Sequence, residues 1–493
     1  MSNLVILPII LPMITALIVA LFRKGLPAVR TISIIMTIVN LIVTSYITYL
    51  VFHTGTLVLE TGGWKAPYGI VLVADKLSIL LVLTTNVIAL TILLYAIFSL
   101  GEEKEKYYFY TFTLLLIASV SGAFLTGDLF NLFVFYEVLL MASYALMILG
   151  GKKGQIRESF KYLLMNLFSS MLFVIAVAFL YSVTGTVNMA QLAERVGSVN
   201  QSGILTAIAI LLFIVFATKS ALFPLYYWMP SSYSKPPIVI SALFGALLTK
   251  VGVYSILRVF SLIFIGELSF THEMFIILSA LTMFFGVIGA LSTTDIRLIV
   301  IYNIIPAIGY MLMGIGIFGE TALAGSIYYL IQDMLLKTAL FLIIGVMIFI
   351  TGTTDIRKMG GLMTHYPLLG WLFFIAALTL AGIPPFSGFI GKYAIIRGGF
   401  EEGYYALSIF ALLISLLILL SIIRVFIYAF WGTEKSEHII KKGMEKPLLP
   451  PIILLIALTT FLGLGAEFVY PYIDSTAKEV LNPSIYIQDV LGE

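Results

Sequence analysis

Six residues able to gain and lose a proton stand inside long apolar stretches of this sequence: Glu137, Lys219, Lys250, Asp333, Lys337 and Lys392. A charge near the centre of a bilayer costs roughly 2.5–3.5 kcal/mol on insertion scales, so an ionisable residue at that depth is a functional candidate by default. Burial and a neighbouring opposite charge act in opposite senses on ionisation. Lysines and carboxylates placed this way can gain and lose protons, so the chemistry on offer is proton translocation. Glu137 is the single acid inside GDLFNLFVFYEVLLMASYALM and is the expected partner of Lys219. Lys250 lies mid-span in SALFGALLTKVGVYSILRVF, between Gly245 and Gly252. Asp333 and Lys337 are one helical turn apart in GSIYYLIQDMLLKTALFLIIG, acid before base, the better order for an i,i+4 pair. They are expected to pair and to relay. The alternative for each pair is a static ion pair, although buried pairs stabilise less than apolar packing. Arg424 keeps its proton and is expected to anchor a helix end.

These residues need elements that hold them at depth. Lys219 ends the apolar run Gly203–Ala217, and Pro224 follows five residues later. Proline removes a backbone donor and clashes with the preceding turn, leaving the Ser220 carbonyl without its partner. Within a membrane such a break survives only beside protein or a water-filled cavity. A charge beside a break therefore predicts a wet pocket at membrane depth. Lys392 likewise follows a break, Pro384-Pro385 in LTLAGIPPFSGFIGKY.

The whole composition agrees with a membrane-spanning chain. Of 493 residues 61% are hydrophobic and 11% charged, with a mean hydropathy of +1.09, against roughly 25% charged in soluble domains. With no cysteine, the chain holds no disulfide, thiolate-bound cluster or cysteine nucleophile. The four histidines, His53, His272, His365 and His438, fall between apolar runs. Neither a metal site nor a cofactor site is expected, and a net charge of +3 does not point to nucleic acid.

Runs of about 19 or more apolar residues mark spanning helices. They occur near 4–22, 27–52, 75–100, 107–127, 128–150, 159–184, 202–223, 237–260, 272–292, 298–318, 321–351, 367–399, 404–431 and 449–472, fourteen in all. Leu4–Phe22 has no basic residue before it and reads as a membrane helix, not a cleaved leader. Thr56–Ala74 reads as a surface hairpin around Thr61-Gly62-Gly63, and Asn188–Gln201 as an amphipathic interfacial helix. Seventeen of the 28 Lys and Arg residues fall in loops opposite the N-terminus, six on its own side and five within helices. That bias puts both termini outside the cell membrane.

The expected fold is thus an all-α polytopic membrane protein with two inverted five-helix repeats, helices 4–8 and 9–13, and broken helices 7 and 12. Its parts are 1–106 (helices 1–3 and the hairpin), 107–260 (first repeat), 272–431 (second repeat) and 432–493 (loop, helix 14 and a short outside tail).

FYEVLLMASYALM, KYLLMNLFSS, TGTVNMAQL, TKSALFPLYYWMP, SALFGALLTKVGVYSILR, DMLLKTALFL and AGIPPFSGFIGK together resemble the antiporter-like subunits shared by respiratory complex I, Mrp-type cation/proton antiporters and membrane-bound hydrogenases. The resemblance spans roughly residues 60–435 and looks closest to the D-type Mrp subunit and its hydrogenase counterpart. It implies that Glu137 and Lys219 are a coupled pair on helices 5 and 7, Lys250 a relay on helix 8 and Lys392 the exit on helix 12. Three departures stand out. YYWMPSSYSKPP offers Tyr226 and Tyr227 where many members have a histidine and an acid, Ala307 stands where histidine or glutamine is frequent, and Asp333 replaces a usual histidine. Ordered water must then bridge the gaps between lysines.

The function expected from all this is a proton-translocating subunit of a multi-subunit membrane redox complex, with Na+ moving through a neighbouring subunit. Electrons would be handled by a peripheral arm, since no redox motif lies on this chain. The alternative is a subunit of an Mrp-type Na+/H+ antiporter with no redox partner, alongside other antiporter-like and small membrane subunits. A third reading, an inert scaffold, predicts that neutralising Lys219 leaves ion movement intact.

Overall fold

The computed structural model describes residues 2–22, 25–197, 202–433 and 443–492. Thirteen helices among them are long and apolar enough to cross a membrane. They are α1 Ser2–Leu21, α2 Leu26–Thr54, α3 Lys76–Ser99, α4 Glu102–Leu125, α5 Leu129–Met147, α6 Lys153–Thr184, α7 Gly203–Ser234, α8 Ile238–Leu262, α9 Phe270–Ser292, α10 Ile296–Ile317, α11 Glu320–Thr351, α13 Tyr405–Phe430 and α14 Lys446–Leu464. The remaining span, α12, is broken into α12a Pro367–Ala381 and α12b Ser387–Glu401, which brings the total to fourteen. The protein is a multi-pass membrane protein.

Burial separates an inner from an outer set. The spanning windows of α8, α10 and α11 are 94%, 89% and 89% buried, whereas those of α2 and α13 are each 33% buried. The outer helices carry exposed apolar side chains such as Leu17, Ile42, Phe168 and Leu416, as a lipid-facing or partner-facing surface requires. Lys250, Asp333 and Lys337 therefore ride on the most enclosed helices.

The inverted repeat is written in the turns. Asp128 caps α5 by accepting from the Asn131 N–H at 2.8 Å, and Asp295 caps α10 by accepting from the Arg297 N–H at 2.8 Å. Each cap forms an isolated antiparallel bridge, Asp128 with Asn188 and Asp295 with Asp355. Gly185 and Gly352, both with positive φ, end α6 and α11. All three correspondences share one offset of 167 residues (128 to 295, 188 to 355, 185 to 352). An odd number of spans separates each pair, so one turn lies on each face of the membrane.

Both broken helices stop in the same way. In α7 the first segment, α7a Ser202–Ser220, ends with Ala221 at φ +61°, and Leu222 N–H reaches back to Ala217 O at 3.0 Å. In α12a, Gly382 at φ +82° takes the corresponding place, with Ile383 N–H on Leu378 O at 3.1 Å. Each is a Schellman stop, which satisfies carbonyls of the last helical turn before the break. Beyond the break α7 resumes as α7b Trp228–Ser234.

α11 and α12b meet along a seam of bare backbone. A side chain on Gly325 would come within 2.6 Å of Ile395 N, one on Gly391 within 2.8 Å of Tyr329 Cβ, and one on Gly398 within 2.6 Å of Ala322 N. Small residues permit this close approach of helices in lipid.

Several boundaries differ from the sequence reading. α4 begins at Glu102 and passes through an irregular turn, Glu105–Phe109. α14 stops at Leu464, and the expected tail forms two further helices, α15 Ala466–Leu481 and α16 Pro483–Leu491. The amphipathic segment is helical over Met189–Val196, its apolar side is buried, and residues 198–201 lie outside the described set. Arg23, Lys24, Lys435, Lys441, Lys442 and His438 also lie outside it. The hairpin forms as β1 Leu57–Glu60 and β2 Val71–Ala74, with Leu57 opposite Ala74. β2 is fully buried, so only half of the hairpin is a surface feature. His272 falls in the first turns of α9 and is buried.

Candidate functional site

Lys219 occupies the last turn of α7a and is 5% exposed. Its Nζ donates to Asn166 Oδ1 on α6 at 3.2 Å and lies 5.5 Å from the centre of the Tyr136 ring on α5. Both contacts favour a cation without neutralising it. The expected direct pair with Glu137 does not form: among the described residues no cation lies within 4.0 Å of Glu137, and its Oε1 is buried without a partner. The cause is helical phase. Successive residues diverge by about 100° around a helix, so when Tyr136 faces Lys219 its neighbour Glu137 cannot.

The second cluster joins the two repeats. Asp333 on α11 holds Lys250 of α8 at 2.8 Å through Oδ2 and Lys337 at 3.5 Å through Oδ1, with all three side chains at zero exposure. Neither contact is aligned as a hydrogen bond. The within-helix pair is the longer of the two, and Lys337 Nζ also donates to Asn303 O at 2.9 Å. Lys250 Nζ in turn donates to Gly245 O at 2.9 Å. Gln332, beside Asp333, is fully buried with neither side-chain polar atom partnered.

Lys392 on α12b is 3% exposed and donates to Leu380 O, Ala381 O and Ser415 Oγ, each at 3.0 Å. Its Nζ stands 4.9 Å from the centre of the Tyr310 ring, and the Tyr310 hydroxyl donates to Ala411 O. Three lysines thus rest on carbonyls where a helix departs from regular form. Gly245 lies in the π turn Phe244–Leu248, Asn303 separates Ile296–Tyr302 from Ile304–Ile317, and Leu380 and Ala381 end α12a. Such irregularities inside helices leave carbonyl lone pairs open to a cation.

Other buried charges were not among the expected site residues. Glu105 receives Arg30 at 2.8 and 2.7 Å and the Tyr110 hydroxyl at 2.7 Å. Arg258 lies in α8, pairs with Asp75, and sits within 5.5 Å of the Tyr254 ring centre and 5.0 Å of that of Tyr486 on α16. Glu158 is buried at the start of α6. Charge runs such as EEKEK and GKKGQIRES placed the predicted helix starts too late and left Glu105 and Glu158 in loops. Arg424 does anchor a helix end, donating to the carbonyls of Ala290, Leu291 and Thr293.

The two turn bridges differ in charge. Burial pushes the Asp128 carboxyl up to about 6, against the pull of the Asn131 and Phe130 N–H groups. The Arg357 guanidinium holds Asp355 below the usual carboxylate range. Among the described residues no group of three or more His, Asp or Glu is spaced to hold a metal ion.

A family model for the "NADH:quinone oxidoreductase/Mrp antiporter, TM" region matches residues 126–418 of this chain. The chain is 51% identical over all 493 residues, and over the full length of the relative, to the D-type component of the Na(+)/H(+) antiporter of Bacillus subtilis (strain 168). A chain of the Mrp complex from Dietzia sp. DQ12-45-1b superposes with a TM-score of 0.92 at 29% identity, over 100% of this chain and 99% of that one. A chain of an archaeal membrane-bound sulfane sulfur reductase superposes with a TM-score of 0.93 at 26% identity, over 99% of both.

Proposed function

We propose, since the chain belongs to the NADH:quinone oxidoreductase/Mrp antiporter transmembrane family, that it is a proton-translocating, antiporter-like subunit of a multi-subunit membrane complex. The observation that carries this reading is the buried line of Lys219, Lys250, Asp333, Lys337 and Lys392, five ionisable side chains each at most 5% exposed and set within spanning helices. Protons pass Lys219 under the influence of Glu137, cross between repeats through the carboxylate shared by Lys250 and Lys337, and leave by Lys392. Asp333 supplies the link that a histidine gives elsewhere in the family. The repeats are 107–260 and 272–431.

Two settings fit the same machine. A full-length relative named as part of a Na(+)/H(+) antiporter supports an Mrp-type assembly, with Na+ carried in concert with other antiporter-like and small subunits. The likeness to a chain of a sulfane sulfur reductase supports a redox-driven assembly with a peripheral arm. The partners that co-purify with the chain decide between them.

The site itself is tested by neutralising Lys219. Vesicles carrying the assembled complex with Lys219→Ala should show no driven proton movement by a lumenal pH dye. Normal movement would leave the charges as scaffold. The side assignment, both termini outside, rests on the distribution of basic residues. Because the chain has no cysteine, single cysteines at Lys65 and Lys153 can be labelled with an impermeant reagent on whole cells. Labelling of the second but not the first reverses the assignment.

A further inference from the structure

The proposed function leaves open how a proton reaches Lys219. α6 offers a route that the sequence pattern does not reveal. Its buried stripe is polar from the end near Lys153 inward: Glu158, Tyr162 and Asn166 are spaced at four residues and are 7%, 1% and 2% exposed. This spacing aligns them on one helix face over about 12 Å of helix rise. Asn166 closes the stripe on Lys219 at 3.2 Å.

The facing side is α7b. Ser232 Oγ donates to Glu158 O at 3.4 Å, which fixes α7b against the start of α6. The Tyr162 and Tyr233 rings flank Trp228, with centres 5.3 and 5.7 Å from it. The Tyr162 hydroxyl meets Ser143 Oγ on α5 at 3.1 Å. Two hydroxyls along this wall, Ser159 Oγ and Tyr233 Oη, are buried without a hydrogen-bond partner in the protein, and Glu158 Oε2 meets the Lys161 amine at 3.2 Å. A buried hydroxyl with no protein partner is a place where an ordered water would complete the hydrogen bonding. Glu158 also meets the surface, where Lys161 approaches at 3.2 Å and Arg157 at 3.8 Å, cations that are themselves half or more exposed.

We propose that Glu158 collects protons at the face opposite the N-terminus and that the α6 stripe, faced by Tyr233 of α7b, loads them onto Lys219. The inference rests on the reading of Lys219 as a group that titrates. Each step is a proton exchange between oxygens. The Glu158 carboxylate takes a proton from bulk water and gives it to a hydrated hydroxyl. Tyr233 or Tyr162 accepts one proton while releasing its own inward, and the last transfer forms an N–H bond on an unprotonated Lys219. Asn166 cannot carry a proton and acts as a positioning residue, aiming the Lys219 amine at the stripe.

The test uses the assembled complex in vesicles. Glu158→Gln should slow driven proton movement by about tenfold or more, a loss of the size that follows removal of a positioned proton donor. Small weak acids such as formate, raised in concentration on the uptake side, should restore the rate in this variant and leave the wild type unchanged. Tyr233→Phe should slow the rate without formate rescue, since the missing group lies beyond the collector. A wild-type rate in Glu158→Gln would overturn the route, and so would a slow Glu158→Gln enzyme that formate does not help, which would mark a structural role. Lys219→Ala run alongside separates the two levels: normal movement there rejects the titrating lysine itself, whereas a dead Lys219→Ala with a normal Glu158→Gln rejects only this route.

Discussion

Lys219 and the three other buried lysines are held by different kinds of atom. Lys219 rests on the side-chain amide of Asn166, whereas Lys250, Lys337 and Lys392 rest on backbone carbonyls. An amide can turn about its side-chain bonds; a carbonyl moves only with its helix. The first repeat also has Glu137, an acid one step from contact, and the register of the turns puts Ile304 at the matching place in the second repeat. The repeats are alike in fold and unlike in electrostatics: Lys219 is held by a side-chain amide near an acid that pairs with no cation among the described residues, whereas the other three lysines are held by backbone. The tyrosines under Lys219 and Lys392 show the same divergence. On the register of the turns Tyr310 matches Ser143, so it lies seven residues further along its helix than Tyr136, about 10 Å. Lys392 thereby sits nine residues from the Glu401 end of α12b, within about 13 Å of that face.

The comparison can be broken most severely at Asp333. Asp333→Asn leaves Lys250 and Lys337 with no shared anion and should cost about 3–5 kcal/mol, read as a drop in the thermal midpoint of the purified complex together with loss of proton movement. Exchanging the charges, Asp333→Lys with Lys337→Asp, should fail as badly, because the new lysine would stand against Lys250. Recovery of normal assembly in the exchanged variant would show that the contact with Lys250 is dispensable. Next in size, Lys392→Arg should assemble fully and move no protons, since arginine keeps the charge and does not release it. Retained movement there would reduce Lys392 to a fixed cation.

Glu137→Gln probes the responsive side. With no close contact to lose, the variant should assemble normally and slow proton movement by about tenfold. An unchanged rate would place control of Lys219 elsewhere. The smallest effect concerns the turns. Asp128 has a folded value of about 6 against 3.8 for the free side chain, so its protonated form adds stability below about pH 4 that is lost as pH rises through 6. Asp128→Asn keeps a capping oxygen and should flatten that slope, leaving the variant more stable above pH 6 by on the order of 2 kcal/mol. Parallel unfolding curves for both proteins between pH 4 and 7 would contradict the burial of this carboxyl.

Fourteen spans, two breaks and every lysine of the line were legible in the sequence, because apolar length and a misplaced charge are local signals. What was not legible depends on neighbours in space. The i,i+4 rule sees Asp333 and Lys337 on one helix, but Lys250 reaches Asp333 only because α8 packs against α11. As the single acid of its stretch, Glu137 is the partner that the sequence offers Lys219, yet composition cannot say that Tyr136 occupies the facing side of the helix. Asn166 lies inside the motif KYLLMNLFSS and drew no notice, since a neutral amide costs far less at depth than a charge. The tail was missed for the opposite reason: the polar residues of α15 ended the apolar pattern at a helix that continues as an amphipathic surface element.

The glycine seam between α11 and α12b carries a mechanical consequence. With backbone pressed on backbone at Gly325, Gly391 and Gly398, the two helices have no soft layer of side chains in which to slide. They form one stiff arm with Asp333 and Lys392 at fixed stations upon it, and its pivot is the break between Ala381 and Ser387. Any flexing at that break would preserve the distance between the two charges and change the distance from Lys392 to the Leu380 and Ala381 carbonyls. The outermost lysine is thus tied across the break to the end of α12a, and the arm that carries it also bears the carboxylate shared with the first repeat.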